Sequence, residues 1–131
     1  MDKILIVDDQ PEIRRLLGIS LGRHFQVIEA TDGVSALAAL REHSPRLVLL
    51  DVMMPGQLDG LAVLDIVKGN PDTRHIPVGM LTARGQATDL DDARARGADA
   101  YFTKPFSPLK VLAWVRSALQ SDDTPSNFSA L

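Results

Sequence analysis

The sequence predicts one α/β domain, a doubly wound, five-stranded parallel sheet with helices on both faces. Three observations carry this. Short continuous apolar runs alternate with segments whose apolar residues recur at helical spacing. Successive runs begin about 20 to 30 residues apart, the length of a βαβ unit. The chain of 131 residues fits a single core.

Taken in order, Ile4 to Val7 is an unbroken apolar run ending at Asp8-Asp9, and Leu47 to Leu50 is another ending at Asp51. A weaker third run, Val78 to Leu81, ends at Thr82. Runs of this kind suit strands covered on both faces. Phe25 to Glu29 alternates instead, and Ala100 to Phe102 is short, which suits edge strands. Between the runs, five sets of residues place apolar side chains on one helical face: Ile13, Leu16, Leu17 and Leu21; Ala36, Leu37 and Leu40; Leu61, Leu64 and Val67; Leu90, Ala93 and Ala95; Val111, Leu112, Val115 and Leu119. Pro11 opens the first helix, Asp32-Gly33 and Asp59-Gly60 precede the second and third, and Gly97 closes the fourth.

If the first, third and fourth strands are central, the order 2-1-3-4-5 satisfies every strand and keeps each crossover right-handed. That is the flavodoxin-like order, in which ligands bind beyond the carboxyl ends of the strands at the switch between the first and third. Asp8, Asp9 and Asp51 fall at those ends. Residues 121–131 are polar, contain Pro125 and lack helical spacing, so they are expected to form a flexible tail or a truncated linker after a domain of residues 1–120.

Composition narrows the function. Fourteen Lys plus Arg against 17 Asp plus Glu give a net charge of −3, with no clustered basic excess of the kind that marks a nucleic-acid surface. With no cysteine there is no disulfide framework and no thiolate chemistry. The longest apolar runs are five residues, Ala36 to Leu40 and Val111 to Val115, far short of the ~20 that span a bilayer. His24, His43 and His75 are isolated and lack ligand spacing, so they receive no role.

Three carboxylates at one end of a sheet need a cation among them. Hard oxygen ligands around one open pocket suit Mg²⁺, which also binds phosphate. Lys104, following the fifth strand, is placed to point into the same crevice. The local sum of three carboxylates, one ammonium and one dication is then about zero before a phosphoryl group arrives. A carboxylate can attack phosphorus to form an aspartyl phosphate. The paired Asp8 and Asp9 suit metal binding, and Asp51, alone on the neighbouring central strand, is the better nucleophile. The Thr82 hydroxyl and the backbone N–H groups after Asp51 and Thr82 would help position the group in transfer.

Four motifs carry a family resemblance: Ile4-Leu5-Ile6-Val7-Asp8-Asp9; Asp51-Val52-Met53-Met54-Pro55 with Asp59-Gly60 beyond it; Leu81-Thr82-Ala83; and the run from Gly97 through Tyr101 and Lys104-Pro105 to Phe106. In order, on the expected strand ends, they resemble the receiver domain of two-component response regulators over about residues 3–120. The resemblance implies a cytoplasmic signalling switch that takes phosphate onto Asp51 from a sensor histidine kinase or a histidine phosphotransfer protein. It implies Mg²⁺ held by Asp8, Asp9, Asp51 and the backbone carbonyl of Met53, a phosphoryl group contacted by Thr82 and Lys104, and Tyr101 as an aromatic that turns inward when Thr82 moves. The Lys104-Pro105 peptide would be cis. Output would pass through helix four, strand five and helix five to a partner or output domain. Such a protein is not a conventional enzyme, since it catalyses its own phosphorylation and dephosphorylation. Neither membrane nor direct nucleic-acid binding is implied for this segment.

Asp51 and Asp59 are eight positions apart, one more than the commonest family spacing, and the extra residue falls in Gly56-Gln57-Leu58. Lys110 and Trp114 stand where many DNA-binding members carry an acid and an arginine, so their dimer is not carried over. Trp114, at the border of its helix's apolar face, is expected to be partly exposed and a candidate partner anchor. The resemblance also implies that Met53, two residues after Asp51, and Arg84, two residues after Thr82, flank the phosphoryl group and tune its lifetime, with Arg84 shielding it from water. A haloacid-dehalogenase-like phosphatase is the competing enzyme reading, but its usual second aspartate is replaced by Met53. A receiver-like module that binds partners without phosphorylation is the third.

Overall fold

The computed structural model describes residues 1–83 and 87–120. Ten elements alternate: β1 (Lys3–Val7), α1 (Pro11–Leu21), β2 (Gln26–Ala30), α2 (Gly33–His43), β3 (Leu47–Asp51), α3 (Gly60–Gly69), β4 (Val78–Thr82), α4 (Ala87–Ala95), β5 (Ala100–Thr103) and α5 (Pro108–Gln120). The strands pair in parallel in the order β2-β1-β3-β4-β5, as the runs predict. The expected tail at 121–131 and Arg84 lie outside the described residues.

Alternation along the buried strands feeds two separate cores. Ile4, Ile6, Leu47, Leu49, Leu81 and Phe102 point toward Leu17 and Leu21 of α1 and Val111, Trp114 and Val115 of α5. Leu5, Val7, Val48, Leu50, Val78, Met80 and Tyr101 point toward Ala36, Leu40, Val63, Leu64, Val67 and Ala93 of α2, α3 and α4. Every residue of β3 and β4 is buried, which is why those strands read as continuous apolar runs. β2, at the edge, exposes Gln26 and Glu29.

Three expectations are corrected here. The spacing puts Leu16 on the apolar face of α1 and Ala95 on that of α4, yet Leu16 is 40% exposed and Ala95 is exposed too, because the covered stripes are narrow and centre on Leu17 and Leu21 in α1 and on Ala93 in α4. Trp114 was expected to be partly exposed, yet it is only 4% exposed. It is received by a gap in the sheet: a Cβ on Gly79 of β4 would lie 2.8 Å from Trp114 Cζ3 and 3.1 Å from Leu49 Cδ2. Phe102 meets the indole edge to face, with ring centroids 5.9 Å apart. A large residue on the helix is thus matched by no side chain on the strand, and Trp114 is no surface anchor.

Helix starts fix the loops beside the strand ends. Asp32 caps α2 reciprocally with Ser35, its carboxylate accepting from Ser35 N at 2.8 Å. Asp59 caps α3 by accepting from Ala62 N at 2.8 Å. Gly60 then donates to the Val52 carbonyl at 3.0 Å, and a Cβ there would collide with the Asp51 carbonyl oxygen. Gly60 therefore sets how closely α3 approaches the backbone that carries Asp51. Gly60→Ala is expected to destabilise the fold by about 2–4 kcal/mol in urea denaturation, since the obstruction is backbone that cannot rotate away. A variant within 0.5 kcal/mol of the parent, about the scatter of neutral surface changes, would show that α3 is free to retreat.

At the opposite end of the sheet, Lys68 of α3 donates to the carbonyls of Arg74 and Ile76 at 3.1 and 2.8 Å and to Asp99 Oδ2 at 3.0 Å. Asp99 also accepts from Val78 N at 2.8 Å, so one carboxylate and one ammonium tie α3, the start of β4 and the turn before β5 together.

Candidate functional site

β1 and β3 are neighbours, with Val7 opposite Leu50, so the residues just beyond them emerge side by side. Asp8, Asp9 and Asp51 thereby each present a carboxylate oxygen within 4.8 Å of the others. Asp8 and Asp51 are buried and Asp9 is exposed. Lys104 leaves the end of β5 and reaches back across the sheet to place Nζ 2.8 Å from Asp8 Oδ2 and 3.5 Å from Asp51 Oδ1. The Lys104–Pro105 peptide is cis, as the resemblance implied. Asp9, Gln10, Ile13, Asp51, Met53, Ala83, Lys104 and Pro105 line an open cleft of about 490 Å³ above this group.

The charge is unbalanced. Burial, followed by the nearby Asp8 carboxylate, pushes the Asp51 carboxyl from the usual value of 3.8 up to about 7. A hydrogen bond with Asp9 acts in the same direction, while Lys104 and the Met53 N–H pull it down. That N–H donates to Asp51 Oδ1 at 3.4 Å. A lone lysine does not neutralise three clustered carboxylates, and this donor set of hard oxygens, opening onto a cleft, fits a small divalent cation.

The family model of the response regulator receiver domain matches residues 4–116. The chain belongs to that family. The receiver domain is 42% identical over 119 residues to the phosphate regulon transcriptional regulatory protein PhoB of Klebsiella pneumoniae, covering 90% of this chain and 52% of that protein. It superimposes on a putative response regulator of Chloroflexus aurantiacus with TM-score 0.85 and 31% identity, covering 92% of this chain and 98% of that one. The BeF3-activated receiver domain of DrrB, from a Thermotoga maritima OmpR/PhoB homologue, gives TM-score 0.82 and 31% identity, covering 92% of this chain and 99% of that one. This chain spans about half the length of the curated relatives it matches.

In the receiver domain, Thr82 ends β4 fully buried, one position beyond Leu81, which pairs with Asp51. Its carbonyl accepts from Lys104 N at 2.6 Å, so β4 and the lysine are joined through the backbone. Tyr101 is already inward, 1% exposed in the core shared with α2, α3 and α4. Met53 is 52% exposed at the mouth of the cleft. Asp8 does not cap α1 with its side chain: its Oδ1 accepts from Gln10 N at 2.9 Å, and Gln10 itself occupies the cap position.

Two site residues escaped the sequence. Gln10 contacts Lys104, but a glutamine before a proline carries no signal of its own. Arg14 donates from Nη1 to the Asp8 carbonyl at 2.8 Å and from Nε to Glu29 at 3.1 Å, bracing the loop that carries the acid pair. Its position, six residues after Asp8 and one turn into a helix, was the only available hint. Among the described residues no helix is long and apolar enough to cross a membrane.

Proposed function

We propose that this receiver domain is a cytoplasmic phosphoacceptor switch that takes a phosphoryl group onto Asp51 from a phosphohistidine on a sensor histidine kinase or a histidine phosphotransfer protein. The observation that supports it most is the cluster of Asp8, Asp9 and Asp51 within 4.8 Å, met by Lys104 at 2.8 and 3.5 Å, at the base of an open cleft.

Asp8, Asp9, Asp51 and the Met53 backbone carbonyl would hold Mg²⁺. When bound, the ion supplies positive charge to the phosphoryl oxygens and offsets the carboxylates. The chain's own residues do the rest. An Asp51 carboxylate oxygen forms the new bond to phosphorus as the phosphorus–nitrogen bond breaks, and the electron pair leaves with the donor imidazole. Lys104 pairs with a phosphoryl oxygen and the Thr82 hydroxyl donates to another. Dephosphorylation is attack by water on the same phosphorus, which returns the Asp51 carboxylate and releases inorganic phosphate. Drawing Thr82 toward the phosphoryl group would act on Tyr101 and the α4–β5–α5 surface, where a partner or an output domain reads the change. Residues 1–120 would form this switch and 121–131 its tail or linker.

The test is labelling by acetyl phosphate, read by intact mass. One phosphoryl group is expected in the presence of Mg²⁺, none after chelation and none in Asp51→Asn. Equal labelling of that variant would sink the assignment, and steady turnover of a generic phosphoester would favour a phosphatase. Because Asp51 must shed a proton held up to about pH 7, Mg²⁺ binding is expected to tighten roughly tenfold from pH 6 to pH 8 by calorimetry. A flat profile would contradict this.

A further inference from the structure

Lys104 has three ammonium protons, and the described residues show where they go. Asp8 Oδ2 accepts at 2.8 Å, Gln10 Oε1 accepts at 3.0 Å, and Asp51 Oδ1 lies at 3.5 Å. Two of these partners are carboxylates assigned above to the metal. A carboxylate engaged with a dication has less attraction left for an ammonium, and the two cations repel. Gln10 is the neutral partner, outside that set.

Its backbone makes the same connection. Gln10 N donates to Asp8 Oδ1 at 2.9 Å, so Asp8, Gln10 and Lys104 close a ring of three hydrogen bonds. The side chain is also diverted from the usual task at its position. Gln10 occupies the N-cap of α1 in extended conformation, yet makes no side-chain cap hydrogen bond, and Pro11 follows at the first helical turn. Short Ser, Thr, Asn or Asp normally fill such a place. A longer amide forgoes the cap and reaches the ammonium, on the wall of the cleft where a phosphoryl donor enters.

We propose that Gln10 is a positioning residue that holds the Lys104 ammonium toward Asp51 through a neutral acceptor lying outside the carboxylate set that fits a divalent ion. This rests on Asp51 being the phosphoacceptor. In the reaction with acetyl phosphate, the Asp51 oxygen–phosphorus bond forms, the phosphorus–oxygen bond to acetate breaks, and acetate leaves with the electron pair. Lys104 must face the phosphoryl oxygens while this happens, and Gln10 holds it there.

The experiment compares the full chain with Gln10→Leu, which removes the acceptor, and Gln10→Glu, which keeps one of the same length. The first readout needs no phosphorylation: the rate at which an amine-acylating reagent modifies Lys104, followed by peptide mass spectrometry with and without Mg²⁺. The second is the rate of Asp51 labelling by acetyl phosphate at saturating Mg²⁺. Gln10→Leu is expected to expose Lys104 to acylation about threefold or more in Mg²⁺ and to slow labelling about 3- to 10-fold, the size expected for losing one solvent-exposed hydrogen bond. Its Mg²⁺ affinity should stay within about twofold of the parent. Gln10→Glu should restore Lys104 protection. Unchanged Lys104 reactivity in Gln10→Leu, or a loss that glutamate does not reverse, overturns the proposal. If the parent chain takes no label at Asp51, the phosphoacceptor reading falls, and the acylation comparison still decides whether Gln10 holds the lysine.

Discussion

Replacing Asp51 with asparagine in metal-free buffer is expected to stabilise the fold by about 1–3 kcal/mol at pH 8 and to change it little near pH 4. The sign follows from the carboxyl's raised pKa. Folded Asp51 holds its proton up to about pH 7, whereas the unfolded chain releases it near 3.8. The folded state therefore binds more protons between those values, and stability falls as pH rises through that window, with the penalty complete above pH 7. The full shift corresponds to an upper limit of about 4 kcal/mol, which relaxation and water entry reduce. Asparagine keeps an oxygen to accept from Met53 N and carries no charge, so it escapes the penalty. Urea denaturation at the two pH values measures the difference. An asparagine variant less stable than the parent at pH 8 would mean that the acidic cluster does not strain the metal-free fold. Millimolar Mg²⁺ should narrow the gap, since it stabilises the parent through the carboxylate that the variant lacks.

Trp114→Ala is expected to lower stability by about 3–5 kcal/mol, the cost of deleting a large buried aromatic and leaving part of its volume empty. The pairing with Gly79 makes a sharper test than the loss itself. Gly79→Ala alone puts a methyl carbon 2.8 Å from the indole and should cost about 1–3 kcal/mol. In the Trp114→Ala background that methyl group enters the vacated space, so its cost should disappear or change sign. A double-mutant cycle in urea reads the coupling directly. Additive losses would mean that strand and helix do not meet there, and a Trp114→Ala change below 1 kcal/mol would contradict its burial.

These two residues mark where sequence reading succeeds and where it stops. Asp51 is legible because it is local: a fully apolar run ending in a carboxylate identifies both a central strand and its carboxyl end, and the order 2-1-3-4-5 brings the other acids beside it. Trp114 is not, because its depth is decided by a missing side chain on a strand 35 positions earlier, and helical periodicity knows nothing of the opposite surface. Leu16 failed for a related reason, since periodicity finds an apolar face but not the width of it that the sheet covers. Gln10 was invisible because its residue type fits a solvated loop equally well, and only the path of Lys104 back across the sheet gives it a partner. The Asp59-Gly60 pair is legible as helix punctuation, while the steric demand of the Asp51 carbonyl on Gly60 comes from a backbone approach that no local pattern encodes.

Trp114 is the chain's single tryptophan, and its indole N–H has no hydrogen-bond partner among the described residues. It rests on Gly79, three residues before Thr82, and on Phe102, two residues before Lys104. The protein therefore contains its own optical probe, one fluorophore seated under the two strands that carry the threonine and the lysine. Its emission belongs at the blue end of the indole range and out of reach of iodide, and any rearrangement of those strands is written into that one signal without an attached dye.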